Sequence, residues 1–393
     1  MNSFAKQNCL KIKTIAIVLP QFHPIPENNV WWGEGFTEWT NVVKGKPLFK
    51  GHYQPHLPKN LGFYDLRLAE TRAAQAALAK KYGIYGFCYY HYWFNGRRIL
   101  ETPVDAIFES NTPDFPFMLC WANENWSRNW DGGFEKILLE QKHSVEDFVA
   151  HAHHLVKYFQ DQRYIKINNR PVFAIYKDLL IEDIENCINA FRNTLKEYGL
   201  DVFICRFERG IGTSKNFSKA YRFFDAGIEF QPLTRQFSDL TKAKKNSFEK
   251  YLKLYNYYRG IKKLLGLNVN PKNIIIEYKD LIKNDLNQHF QKGLPIFPGV
   301  CPSWDNSVRR RNGGALIVNN STPSLFQKWV TEKIKKTNWS LLPERFIFVN
   351  AWNEWAEGNH LEPCEKWGEQ YLEAIKQGID DADNLNSESS ELL

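Results

Sequence analysis

Eight short apolar runs recur along this 393-residue chain, each too short for a helix and rich in β-branched or aromatic residues. They fall at 12–19, 84–90, 117–121, 172–176, 202–206, 224–230, 296–301 and 346–351. Amphipathic segments separate most of them: LRLAETRAAQAALAKKYG, VEDFVAHAHHLVKYF, IENCINAFRNTLKEYG and PSLFQKWVTEKIKK, with YLEAIKQGI after the last. Continuous apolar strands alternating with helices indicate a parallel sheet buried on both faces. Eight such units predict an α/β fold of the (β/α)8, or TIM-barrel, type, occupying residues 1–380 as a single domain. A basic, helix-prone stretch at 233–292 follows the sixth strand and reads as an insertion or lid, and the polar segment 381–393 reads as a disordered tail.

Active sites of such barrels lie on the loops after the C-terminal ends of the strands. In this chain those loops gather aromatic, carboxylate, amide and arginine residues that an exterior helix does not require. The first carries Gln21, His23, Glu38 and Trp39 in PQFHPIPENNVWWGEGFTEW. The second strand end and its loop carry Tyr90, His91 and Trp93, and the third carries Trp121 with Asn123, Glu124 and Trp126 in ANENWSRNWDGG. After the seventh come Trp304, Asp305 and Arg309, and after the eighth WNEWAEGNHLEP with Trp352, Asn353 and Trp355. These residues are read as the lining of a cleft for polyols. An aromatic share of 15%, including 13 Trp, suits a surface that binds flat, partly apolar rings such as sugars or nucleobases.

The formal net charge of +7 does not decide between those two ligands, because 233–292 alone holds 13 Lys/Arg against 5 Asp/Glu. No nucleic-acid motif lies in that stretch, so nucleic acid is not an expected partner. The stretch reads first as a solvated helical face, and otherwise as a surface attracted to glycolipid phosphate or anionic membrane. Seven cysteines without CxxC spacing read as reduced core residues. The apolar run near the N-terminus is too short for a signal-peptide core, so the expected location is the cytoplasm, extending to the inner face of the membrane. No GxGxxG or Walker motif appears and no cofactor is implied. No metal site is expected either: His151, His153 and His154 sit in an amphipathic segment that reads as a surface helix, while His23, His91 and His360 read as substrate contacts.

Glu354 and Glu357 carry the sharpest signal. As the start of a helix they would only favour the positive end of its dipole, with Asn353 as the cap, which leaves the two tryptophans unexplained. As residues three apart on one turn at a strand end, they can divide acid and base work, since burial and mutual repulsion separate their proton affinities. Glycoside cleavage needs such a pair. Glu124 is read as a sugar-hydroxyl contact, with a Glu124–Glu354 pair across the barrel as the alternative. Asp305 and Glu38 are read as further hydroxyl contacts, with Arg309 and Arg310 either pairing with them or meeting an anionic group of the substrate.

The segments LPQFHPIPENNVWWGEGFTEWTNV, GFCYYHYWFNGRRILETPV, MLCWANENWSRNWDG, SWDNSVRR and NAWNEWAEGNHLEP resemble, in order and spacing, the WbsX-like family. That family accompanies bacterial O-antigen and capsule gene clusters and is related to glycoside hydrolase family 99. The resemblance spans residues 12–378 and implies a (β/α)8 barrel acting on α-mannose-like or α-rhamnose-like linkages with retention. It further implies that Glu354 deprotonates a sugar 2-hydroxyl, giving a 1,2-anhydro sugar, and that Glu357 serves as acid and then base. Ala356 stands where the family 99 mannosidases carry His. The expected partner is thus an oligosaccharide or polysaccharide. A sugar-nucleotide-dependent glycosyltransferase and a non-catalytic carbohydrate-binding barrel are the alternatives.

Overall fold

In the computed structural model of the chain, the described residues are 11–127, 137–209, 221–243, 272–288, 293–310 and 313–391. Each of the eight apolar runs forms a strand. They are β1 (Lys13–Val18), β2 (Ile84–Phe94), β3 (Phe117–Trp121), β4 (Arg170–Ile175), β5 (Phe203–Glu208), β6 (Ala226–Glu229), β7 (Ile296–Phe297 and Gly299–Val300) and β8 (Phe346–Val349). Every neighbouring pair is parallel, and β8 pairs with β1 with Lys13 opposite Phe346, so the sheet is nearly closed, its gap falling between the two pieces of β7.

The seventh strand is in two pieces because Pro298 has no N–H to give a neighbour. Its first piece pairs with β6 and its second with β8. Gly299 makes this seam feasible, since a Cβ there would lie 1.9 Å from the carbonyl oxygen of Glu229.

Helices cover the outside. Among them α1 (Ala69–Lys81), α2 (Val145–Phe159), α3 (Ile184–Glu197), α4 (Thr234–Ala243), α5 (Tyr278–Leu286), α6 (Pro323–Lys336) and α7 (Gln370–Glu391) follow the predicted order. The Ser144 hydroxyl accepts from the Asp147 amide at the start of α2, a cap that fixes where the helix begins. Phe148, His151, Leu155 and Phe159 then face the barrel. His151 is therefore fully buried rather than on a surface face: its ring stacks on Trp93 with centroids 4.7 Å apart.

Two further segments differ from expectation. The backbone of α7 is helical through Glu391, where the sequence reading places a disordered tail from 381. Much of the basic stretch 233–292 lies outside the described residues, and its described part is not purely helical. Ile274–Glu277 is a strand beside Leu316–Asn319, which in turn pairs antiparallel with Trp304–Asp305. This small second sheet fixes the loop after β7 over the barrel mouth. The six described cysteines are buried and unpaired, and Cys9 lies outside the described residues. Among the described residues no helix is long and apolar enough to cross a membrane.

Candidate active site

The chain leaves β8 into a tight hairpin rather than a helix. Asn353 pairs with His360 and Glu354 with Asn359, and Trp355–Glu357 form a single 3-10 turn at the tip. Gly358 closes that turn at φ 55°, where a Cβ would lie 3.1 Å from the Cβ of Asp305, so both backbone and space favour glycine. Asn353 is not a helix cap. Its amide ties the hairpin to the end of β1, accepting from the Leu19 N–H at 2.7 Å and donating to the Leu19 carbonyl at 3.0 Å.

The turn brings both glutamates to Arg309. Its Nη2 donates to Glu354 Oε2 at 3.0 Å and its Nη1 to Glu357 Oε1 at 2.6 Å. The same guanidinium holds Glu38 Oε1 through Nε at 3.0 Å and Nη2 at 2.5 Å. Gln21 donates to the other oxygen of Glu38 at 2.9 Å, so Glu38 is saturated. Glu354 Oε1 and Glu357 Oε2, by contrast, have no hydrogen-bond partner among the described residues. Burial first, and the Glu357 charge second, push the Glu354 carboxyl up to about 8, against the pull of Arg309. Burial also raises Glu357. Two carboxyls so placed bind protons as a unit, and the pair retains one through neutral pH.

Both glutamates line a cleft at the C-terminal end of the barrel. Its walls are aromatic. Tyr90 and Tyr92 come from β2, Trp126 from the third loop, Tyr176 from the end of β4, Phe230 from the end of β6 and Trp304 from the seventh loop. Trp126 meets Tyr92 edge-on at 5.4 Å, and Tyr176 meets Phe230 edge-on at 5.4 Å, leaving flat surfaces that suit sugar rings. Glu124 also lines the cleft, paired with Lys177 rather than with Glu354.

Several expected contacts face elsewhere. Strand alternation puts Tyr90 and Tyr92 toward the cleft and therefore His91 and Trp93 outward. His91 meets His151 at 2.9 Å and Trp93 donates to Asp147 at 2.8 Å, both against α2. Trp121 packs edge-on against Phe148 and His151 of the same helix, and Trp352 packs against Phe87. His23 is buried outside the cleft lining, and burial lowers its pKa. Asn123 serves the backbone of Lys177, accepting from its N–H at 2.7 Å and donating to its carbonyl at 2.9 Å. Trp39 and Trp355 support the site from behind, 5.5 Å apart, with Trp39 donating to the Tyr64 carbonyl. Asp305 faces a neighbouring hollow, where His52 and Gln54 share its Oδ2 at 2.7 and 2.6 Å. His360 lines that hollow too, not the glutamate cleft. Ala356 is fully buried and does not line the cleft.

Glu362 was not foreseen. It accepts from Tyr64 at 2.8 Å, Trp355 at 2.7 Å and Gln75 at 2.7 Å, anchoring the hairpin that carries both cleft glutamates. Burial pushes its carboxyl up to about 7. Tyr92, Tyr176 and Phe230 were missed as cleft walls, although the spacing of two from Tyr90 marks Tyr92. Among the described residues no three His, Cys, Asp or Glu side chains are arranged to hold a metal ion.

Comparison with known proteins agrees with this architecture. Residues 14–375 match the family described as Glycosyltransferase WbsX. WxcX of Xanthomonas campestris pv. campestris is 34% identical over 98% of this chain and 52% of its own length, and WxcX from a second strain is 34% identical over 95% and 50%. The chain thus spans about half the length of the curated relatives it matches. Among solved structures, a glycoside hydrolase-like protein superposes with a TM-score of 0.58 at 14% identity, covering 94% of each chain. The family 99 endo-alpha-mannosidase from Bacteroides thetaiotaomicron superposes with a TM-score of 0.56 at 12% identity, covering 96% of this chain and 99% of its own. At such identities the likeness is one of fold.

Proposed function

This chain belongs to the Glycosyltransferase WbsX family, and from that membership and its cleft we propose a carbohydrate-active enzyme that breaks or transfers glycosidic bonds in bacterial surface polysaccharide or its precursor. One observation carries the reading: buried Glu354 and half-buried Glu357 each spend one oxygen on Arg309 and leave the other free in an aromatic cleft. A structural ion cluster would leave no such acceptors unspent.

On this reading the sugar is α-mannose-like or α-rhamnose-like and the outcome is retention. Glu354 takes the proton of the 2-hydroxyl as its oxygen closes on the anomeric carbon. The bond to the leaving oxygen breaks, and Glu357 gives that oxygen its proton. Water or an acceptor hydroxyl then opens the 1,2-anhydro ring, with Glu357 taking its proton and Glu354 returning one to the sugar. Arg309 supplies fixed positive charge to both carboxylates throughout. In the free cleft the single proton favours Glu354, the deeper residue and the one held less closely by Arg309, at 3.0 against 2.6 Å. The assigned roles therefore require that proton on Glu357 once glycan is bound.

The family description favours a second reading, transfer from a sugar nucleotide. Incubating the chain separately with sugar nucleotides and with preformed α-linked glycans, and following consumption by mass spectrometry, separates the two. Glycan consumed without nucleotide supports the first reading. Nucleotide release that depends on an acceptor supports the second.

A further inference from the structure

Beside one end of the cleft stand two cations, Lys177 and Arg209, whose charge is only partly balanced among the described residues. The ring of Tyr176 lines the cleft there, with the Arg209 guanidinium carbon 4.8 Å and Lys177 Nζ 6.0 Å from its centroid. Lys177 is held in place because Asn123 bonds both its N–H and its carbonyl, and its ammonium pairs with Glu124. Arg209 follows Glu208 at the end of β5 and has no carboxylate partner among the described residues. Both side chains are partly buried, so the repulsion between them is incompletely screened. Burial and the Arg209 charge together bring Lys177 down to about 8, and the Arg209 charge also reaches Glu357. Arg309 cannot serve an anion in the same way, because three carboxylates already occupy its guanidinium.

We propose that this end of the cleft binds an anionic group of the substrate, with Arg209 and Lys177 as its ligands and Tyr176 as the platform beneath. A guanidinium fork beside an ammonium suits a group with several anionic oxygens. Two sources share that chemistry: the phosphate or diphosphate of an activated or lipid-linked glycan, and the carboxylate of an acidic sugar. The assignment rests on the cleft being the glycan site and places the anion at the Glu357 end of it.

The test is a titration of the full chain with inorganic phosphate, inorganic diphosphate and glucuronate at constant ionic strength, followed by tryptophan fluorescence. Saturable binding is expected, weakened about tenfold by Arg209→Ala and by Lys177→Met, the loss of a charge-assisted hydrogen bond. Arg209→Lys should restore part of the affinity, and Lys328→Ala, on the exposed face of α6, should change nothing. Thermal melts confirm that each variant is folded. Tighter binding of diphosphate identifies a phosphate-linked substrate, and tighter binding of glucuronate an acidic sugar. The proposal is overturned if none of the three anions binds saturably, or if Arg209→Ala and Lys177→Met bind as the unaltered chain does. Binding is read here without turnover, so a failure of the glutamate chemistry would show separately, in Glu354→Gln and Glu357→Gln.

Discussion

Two buried clusters in this barrel look alike in composition and differ in what they leave undone. At the closing seam, Lys333 bridges Glu229 and Asp285; at the mouth, Arg309 bridges Glu38, Glu354 and Glu357. In the seam cluster every carboxylate oxygen is used. Glu229 accepts from Gln231, Lys333 and the Gly299 N–H, and Asp285 from Gln231, Trp329 and Lys333. In the mouth cluster only Glu38 is saturated, and the glutamates of the turn each keep an oxygen facing the cleft. Burial raises Glu229 and Glu354 alike to about 8, so a shifted proton affinity does not separate the seam cluster from the one proposed to be reactive. Unspent acceptors in a cavity do.

The largest effects should come from removing each cation. Lys333→Met leaves two buried carboxylates unpaired and should cost about 3–5 kcal/mol of stability in urea denaturation, with turnover per folded molecule retained. Arg309→Met should cost stability on a similar scale and abolish turnover as well. Equal turnover in the two variants would erase the distinction between the clusters.

A smaller effect is read from the pH dependence of the mouth cluster. The folded state keeps the Glu354 proton up to about 8, whereas the unfolded chain releases it at the ordinary carboxylate value. Stability from this group is therefore full below that ordinary value and is lost as pH rises through about 8. Glu354→Gln should gain in melting temperature relative to the unaltered chain between pH 5 and pH 9. No gain would mean that the carboxyl is already ionised at pH 5. The proposed chemistry needs a proton on the pair, so turnover should fall above about pH 8.

The smallest effect should be that of Glu362→Gln. It keeps the shape of the anchor and weakens hydrogen bonds to Tyr64, Trp355 and Gln75, at a cost of about 1 kcal/mol. A modest loss of turnover with an unchanged pH profile is expected; a shifted profile would place Glu362 in the chemistry.

The strands were legible because parallel strands buried on both faces must be continuous apolar runs, and the glutamate pair because it stands at the end of the eighth. The face each loop residue presents was not legible from the motifs. Tyr90, His91, Tyr92 and Trp93 share one aromatic stretch, yet alternation sends two into the cleft and two against α2. Trp121 and Trp352 are motif residues for a packing reason, filling the space around Phe148 and Phe87. Glu38 reads as a hydroxyl contact and Arg309 either as its partner or as an anion contact; spacing leaves that choice open, and the structure pairs the two. Glu362 depends on Tyr64 and Gln75, nearly three hundred positions away in the chain, a relation no local pattern carries.

The central claim is tested most directly by turnover of one glycan substrate in Glu354→Gln, Glu357→Gln and Glu229→Gln measured side by side. The first two should each lose about 10²–10⁴-fold while remaining folded, the scale of a lost acid or base, and Glu229→Gln should turn over like the unaltered chain. Retained turnover in either cleft variant, or an equal loss in Glu229→Gln, would contradict the account.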